Sequence, residues 1–105
     1  MKKNLIINSR KLWIKKFPWK KKKDHKYSRG RLIIIGSQIN MTGSTILSSE
    51  AALRVGTGSV KIICSKKTLP IYSLKFPSIL KKEINNLKLF KKFIIKEKNS
   101  IFLIG

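Results

Sequence analysis

The residues best placed to do chemistry in this chain are glycines and hydroxyls, in GSQINMTGS at positions 36–44 and GTGSV at 56–60. Glycine-rich corners hold phosphates when their spacing lets backbone N–H groups converge on one anion. A Walker-type loop requires four residues between its glycines, then Lys followed by Ser or Thr. Here six residues separate Gly36 from Gly43, and Ser44 stands where the Lys belongs. That motif is excluded. GTGSV begins like a dinucleotide fingerprint, but it lacks the third glycine and runs into a strand instead of opening a helix. It reads as a helix stop followed by a tight turn. What remains is the corner itself: Gly36 ends an apolar run, residues 37–42 form a loop, and a helix opens around Gly43 and Ser44. Backbone N–H groups there offer an anion or polar-ligand site at the carboxyl edge of a sheet.

Other reactive side chains are few. Cys64 is the only cysteine and lies in the apolar run VKIIC, which suits a buried, inert thiol better than a nucleophile. No intrachain disulfide can form, so a reducing compartment is expected. His25 has Asp24 beside it but no second His or further Cys, so a hydrogen-bonding role in a loop is expected and a metal site is not.

The elements that must position the corner follow from pattern. RLIIIGS, from Arg31, is a short continuous apolar run ended by glycine, the mark of a strand buried on both faces in a parallel sheet. In TGSTILSSEAALRVGTG, Thr42 can cap a helix on which Ile46, Leu47, Glu50, Ala51, Ala52, Leu53 and Val55 fit one apolar face. Ser48, Ser49, Ala51 and Ala52 are small enough to let it pack closely on a sheet, and Gly56 is placed to stop it. SVKIICS is a second buried strand, so residues 31–65 form a β-α-β unit, expected to be right-handed. TLPIYSLKFPSIL holds short helical or turn pieces broken by Pro70 and Pro77. KKEINNLKLFKKF predicts an amphipathic helix with Ile84, Leu87 and Phe90 or Phe93 inward, weakened by Asn85 and Asn86. SIFLIG reads as a third strand. Residues 1–24 differ from all this: KKFPWKKKK has no strand or helix period and reads as a mobile, extended basic arm or linker.

Composition limits the rest. The 105 residues, 42% hydrophobic, suffice for one core. No apolar stretch reaches the ~18 residues of a membrane span, and the N-terminal segment lacks the apolar centre of a signal peptide. A cytoplasmic protein is expected. Lys and Arg number 25 against four acidic residues, a formal charge of +21. Such an excess suits a small protein binding RNA or single-stranded nucleic acid through its Lys-rich arm with Trp13, Trp19 and Tyr27. It equally suits a compositional drift toward Lys, because Lys builds no bidentate base contacts.

The order of the blocks carries a resemblance. HKYSRGRLIIIGS, MTGSTILSSEAALRVGTGSVKI, TLPIYSLKFPSI and, at the end, IFLIG resemble the opening of the ADP-dependent NAD(P)H-hydrate dehydratases, often the C-terminal domain of a bifunctional repair enzyme. LWIKKFPWKKKKDHKYSRG is similar to the segment joining epimerase and dehydratase in the bifunctional forms. The resemblance implies an α/β class, a partial ribokinase-like fold with a parallel β-α-β core, with an arm at 1–24 and the N-terminal part of the domain at 25–105. It implies ADP-dependent dehydration of hydrated NADH or NADPH, with ADP as co-substrate and Mg2+. Gly43 and Ser44 match the family's MTGA block, where Ser replaces the usual Ala, and Gly105 matches the first glycine of a GPG motif. These three are the implied substrate-binding residues.

No catalytic residue is carried over. Asp24, Glu50, Glu83 and Glu97 match no catalytic block, and the family's GTGD aspartate would lie further on. A truncated or split form is therefore expected, inactive alone, with a complementary polypeptide or an NAD(P)H-hydrate epimerase as partner. Specific nucleic-acid binding and membrane binding are not expected. If the positive charge is compositional, RNA binding measured by fluorescence anisotropy will be weak, indifferent to sequence and steeply lost with added salt. Submicromolar, sequence-selective binding at physiological salt would establish the nucleic-acid function instead.

Overall fold

The computed structural model describes residues 4–25 and 28–105; Tyr27, considered above with Trp13 and Trp19 for nucleic-acid binding, lies outside the described residues, as do Lys26 and residues 1–3. Four strands form one parallel sheet: β1 (Arg31–Ile35), β2 (Ser59–Cys64), β3 (Leu80–Glu83) and β4 (Ile101–Ile104), in the spatial order β3-β2-β1-β4. Three α-helices connect them: α1 (Thr42–Val55), α2 (Leu69–Lys75) and α3 (Leu87–Lys96).

Alternation along the strands divides the core into two layers. Ile34, Val60, Ile62 and Cys64 point to one face and pack with Ala52 of α1 and Tyr72 and Phe76 beside α2. Ile33 and Ile63 point to the other face and pack with Phe93 of α3, supported by Phe90 and Phe102. The chain thus winds outward from β1 to β3 with its helices on one face. It then crosses by α3 on the opposite face to lay β4 on the far side of β1. This is doubly wound α/β architecture, and the winding reverses between β1 and β4.

Local chemistry explains the element ends. Gly56 follows α1 with φ of 95°, a left-handed cap that returns its N–H to α1 carbonyls. The Arg29 guanidinium fills the space beside it: Nε donates to the Gly56 carbonyl at 2.8 Å and Nη1 to the Pro18 carbonyl at 2.8 Å, and an ion pair joins Arg29 to Asp24 at 3.6 Å. One side chain therefore ties the arm to the end of α1. The arm itself contains a short 3-10 turn (Arg10–Leu12), and its rings contact one another, Phe17 lying 4.6 Å from Trp19 and 6.0 Å from Trp13 between centroids.

Three local expectations change. The stretch read as one helix from residue 81 is two elements. Residues Leu80–Glu83 pair with β2, and α3 starts only at Leu87, where the Asn86 side chain accepts from the Leu89 N–H at 2.9 Å. The asparagine that seemed to weaken the helix is its cap. Leu87 sits in the first turn and faces outward, 66% exposed, whereas Phe93 is buried. Thr42 is the first residue of α1 and not its cap, because a 3-10 turn (Ile39–Met41) runs straight into the helix. SIFLIG is consequently the fourth strand. Among the described residues no helix is long and apolar enough to cross a membrane.

Glu97, just past α3, ties β1 and β2 to that helix. Its carboxylate lies 3.4 Å from Lys61 Nζ and 4.0 Å from Arg31 Nη1, and it accepts from Ser100 Oγ at 3.2 Å. Partial burial opposes ionisation, but the Lys61 charge and hydrogen bond, then Ser100 and Arg31, outweigh it and hold the carboxyl below its ordinary range. A carboxylate lowered in the folded state stabilises above its unfolded pKa of about 4.3, and that stabilisation is lost as pH falls through the folded value. Glu97→Gln is therefore expected to cost about 1 kcal/mol at neutral pH. It will also flatten the acid limb of the thermal-melting profile below pH of about 4.3. An unchanged acid limb would show that the cluster contributes nothing.

Candidate functional site

The site is built from the end of β1 outward. The Gly36 N–H donates to the Ile63 carbonyl at 2.7 Å, extending the β1–β2 ladder one residue beyond the strand. A Cβ on Gly36 would lie 2.9 Å from that carbonyl and 3.3 Å from both Cε2 and Oη of Tyr72, so only glycine lets the chain pass here. Tyr72 Oη is buried and has no hydrogen-bond partner among the described residues, leaving a polar atom in the core close to Gly36.

Beyond Gly36 the loop folds back on α1. The Ser37 N–H donates to Thr45 Oγ1 at 3.2 Å, Ser37 Oγ lies 3.2 Å from Ser44 Oγ, and Ser44 Oγ donates to the Met41 carbonyl at 3.3 Å. Thr45 is buried, and Ser49 beneath it returns its hydroxyl to the Thr45 carbonyl at 2.7 Å. Hydroxyls thus fasten the loop to the first turn of the helix and leave the outermost of them, Ser44, exposed.

Between this loop and β4 lies a cleft of about 130 Å³, lined by Ile34, Ile35, Ser37, Ser44, Thr45, Ser48, Leu103 and Gly105. It occupies the carboxyl edge between β1 and β4, where the winding reverses and open α/β sheets bind their ligands. Ser44 and Gly105, which stand 61 positions apart in the sequence, share this cleft. Gly43 does not line it; it opens the first turn of α1 with free space where a side chain would project. The sequence pointed to Ser37 only as part of the loop and to Ser48 only as a small packing residue, and not to Thr45. Their signal was there: hydroxyls at 44, 45 and 48 share adjoining faces of a helix start.

The remaining candidates lie elsewhere. Asp24 and His25 belong to a turn at the opposite end of the sheet, near Gly56: the Lys21 N–H donates to Asp24 at 2.6 Å and the His25 N–H to Ser28 Oγ at 2.9 Å. That backbone hydrogen bond, with Ser28 and Arg29, holds the Asp24 carboxyl below its ordinary range. Glu50 pairs with Lys75 at 3.7 Å, and Glu83 accepts from Asn85 at 3.0 Å. Burial pushes the Cys64 thiol up, as befits an inert core residue. No carboxylate lines the cleft, and among the described residues no group of His, Cys, Asp or Glu could hold a metal ion. Mg2+ therefore does not fit the described residues, and no step is drawn through it.

The comparisons with known proteins converge. Over 56 residues, 53% of its length, the chain is 38% identical to the bifunctional NAD(P)H-hydrate repair enzyme of Dictyoglomus turgidum. Over 55 residues it is 34% identical to the ADP-dependent (S)-NAD(P)H-hydrate dehydratase of Xanthomonas campestris, and over 58 residues 33% identical to the ATP-dependent enzyme of Aspergillus fumigatus. The chain is similar to the NAD(P)H-hydrate dehydratases. The matched stretch spans only 11%, 19% and 16% of these three relatives, respectively. No protein-family model matches the chain. In structure it resembles a ribokinase-like superfamily protein of Enterococcus faecalis, with a TM-score of 0.71 at 19% identity, covering 99% of this chain and 38% of the other. The fold is ribokinase-like α/β.

The two glycines of the dehydratase-like loop should respond oppositely to a methyl group. Gly36→Ala drives Cβ into the Ile63 carbonyl and should destabilise by about 1–3 kcal/mol. Gly43→Ala meets open space inside a helix and should stabilise by up to about 1 kcal/mol. Urea unfolding of both variants checks the pair, and equal effects would contradict the geometry.

Proposed function

We propose that this chain acts in NAD(P)H-hydrate repair, as the substrate-side part of a dehydratase, with residues 1–24 as an arm on a partial domain at 25–105. One observation carries the proposal beyond similarity. Ser44 and Gly105, matching two separate family blocks, meet in one cleft at the reversal point of the sheet.

The reaction proposed is transfer of the terminal phosphoryl group of ADP to the hydroxyl oxygen of the hydrate, releasing AMP; the phosphate then leaves with the C–O bonding pair and the adjacent ring carbon gives up a proton to a base, so that the nicotinamide ring regains its double bond. Ser37, Ser44 and Ser48 offer hydroxyls that orient the hydrated ring, and Gly43, without a side chain, lets the substrate approach the first turn of α1. The N–H groups of that turn favour negative charge. Phosphoryl transfer also needs an in-line donor and a base positioned on the attacking hydroxyl. The cleft residues supply neither. A complementary polypeptide, or a repair partner such as the epimerase, supplies them in this proposal, along with the sites for ADP and any Mg2+. The lone buried thiol suits a cytoplasmic setting.

Purified chain assayed for ADP-dependent recovery of NADH absorbance should therefore give no turnover; turnover by the 105 residues alone would sink the proposed division. The chain should nonetheless bind NADH hydrate in a calorimetric titration. Ser44→Leu, which fills the cleft from an exposed position, should weaken that binding by about tenfold or more. Binding indifferent to this substitution would remove the cleft from the proposal.

A further inference from the structure

Positive charge is not spread evenly along this chain. Ten of the 25 Lys and Arg residues fall in residues 1–23, before the first acidic residue, Asp24, and the other fifteen are distributed over the 82 positions that follow. A uniform drift toward lysine would leave the two parts alike, whereas the arm is more than twice as dense in cations. The same segment holds both tryptophans and a run of three aliphatic residues, Leu5, Ile6 and Ile7. Those three are 91%, 76% and 88% exposed, and Trp13 and Trp19 are exposed with them. No described arm residue enters either layer of the core. Apolar side chains gathered in water among cations mark an interaction surface.

We propose that residues 4–23 bind the surface of an anionic lipid bilayer. Leu5, Ile6, Ile7 and the two indoles enter the boundary between headgroups and acyl chains, and the lysines lie against the lipid phosphates and carboxylates. The expectation against membrane binding came from the lack of a spanning run and of a signal peptide. A segment lying in the interface needs neither, because its backbone N–H and C=O groups stay hydrated among the headgroups. Tryptophan favours this boundary, its ring being apolar and its N–H polar. Trp19 already divides itself so: its ring lies against Phe17 while Nε1 donates to the Ile14 carbonyl at 3.3 Å. Each lysine held near an anionic surface strengthens binding about fivefold. A single-stranded nucleic acid would use the same lysines and stack on the same rings, but it offers nothing to the aliphatic run. Leu5, Ile6 and Ile7 therefore decide for lipid. Arg29 fastens this anchor to the domain through the Pro18 and Gly56 carbonyls. None of the anchor residues lines the cleft between β1 and β4, so the proposal does not rest on the dehydratase reading.

Trp13 and Trp19 are the only tryptophans, so their emission reports the arm within the full chain. Vesicles of equal parts phosphatidylcholine and phosphatidylserine should sediment the protein and shift that emission to the blue, and brominated acyl chains should quench it. Vesicles of phosphatidylcholine alone should bind about tenfold more weakly or worse. Leu5→Ser, Ile6→Ser and Ile7→Ser made together keep the charge and should weaken binding by about tenfold or more. Lys20→Gln, Lys21→Gln, Lys22→Gln and Lys23→Gln made together should do the same. Four lysines removed from α3 instead, by Lys88→Gln, Lys91→Gln, Lys92→Gln and Lys96→Gln, should change binding by less than about threefold. Thermal melts should show both arm variants folded, since none of their substituted residues enters the core. A loss from the α3 set equal to that from the arm set would mean that net charge alone binds, and would overturn the proposal. An unshifted or unquenched emission, or binding indifferent to the serine substitutions, would overturn it as well. Tighter binding of single-stranded poly(U) than of the vesicles at physiological salt, with the same blue shift, would assign the arm to nucleic acid instead.

Discussion

The contact on which the rest depends is the 2.7 Å hydrogen bond from the Gly36 N–H to the Ile63 carbonyl. It holds the end of β1 against β2 at the point where the chain must leave the sheet. The space a side chain would need is taken by that same carbonyl and by Tyr72, so only glycine fits at this exit from the sheet. From that fixed exit the loop has only a few residues in which to reach α1. Ser37, Thr45 and Ser44 close it by side-chain bonding, each bond modest and together enough to hold one path. The position of the cleft follows from the strand exit, and its hydroxyl lining follows from how the loop is fastened.

Electrostatics plays a second, separate part. With so few carboxylates, each one present joins elements distant in sequence or closes a turn. Asp24 closes the turn before β1 and meets Arg29, whose guanidinium reaches the Gly56 and Pro18 carbonyls. Glu97 draws Lys61 of β2 and Arg31 of β1 toward the end of α3. Lys61, already paired with Glu97, and Lys82 also stand over the Phe93 ring at 5.6 and 5.7 Å, so the apolar anchor of α3 doubles as a surface for cations. The remaining lysines gain nothing from one another. Among the described residues their repulsion is tolerated because all but Lys81, which donates to the Phe76 carbonyl, occupy exposed positions where water and salt screen them.

What could be read from the sequence was what local pattern encodes. β1, α1 and β2 are each announced by a continuous apolar run or by a capped amphipathic one, and Gly56 stops α1 where its spacing says it should. β3 was missed because Leu80–Glu83 has neither an apolar run nor a period; it is a strand only through its register with Lys61–Cys64. That information is tertiary. Asn86 was misjudged for a related reason. Asparagine in a helix interior opposes it, and the same residue one position before the first turn begins it, so its meaning depended on a boundary the pattern did not mark. At the cleft, Gly105 and Ser44 stood out as site residues while Ser37, Thr45 and Ser48 did not. Hydroxyls are common on helix surfaces, and their convergence becomes visible only when β4 brings Leu103 and Gly105 alongside.

That last dependence shows how few elements the cleft requires. A doubly wound sheet places its binding edge where two winding directions diverge, and the strands on either side of that line are joined by a crossover on the opposite face. Once β1 and β4 are adjacent, the cleft exists, because its walls are the exit of β1, the first turn of α1 and the end of β4. None of those walls needs a charged residue. A base on a nucleophile or a clamp on a phosphate does need such groups, and no carboxylate lines this cleft. Shape and chemistry are therefore separable in this architecture: the order of the strands fixes where the cleft lies and how it is walled, and only the side chains that face into it decide what can be done there.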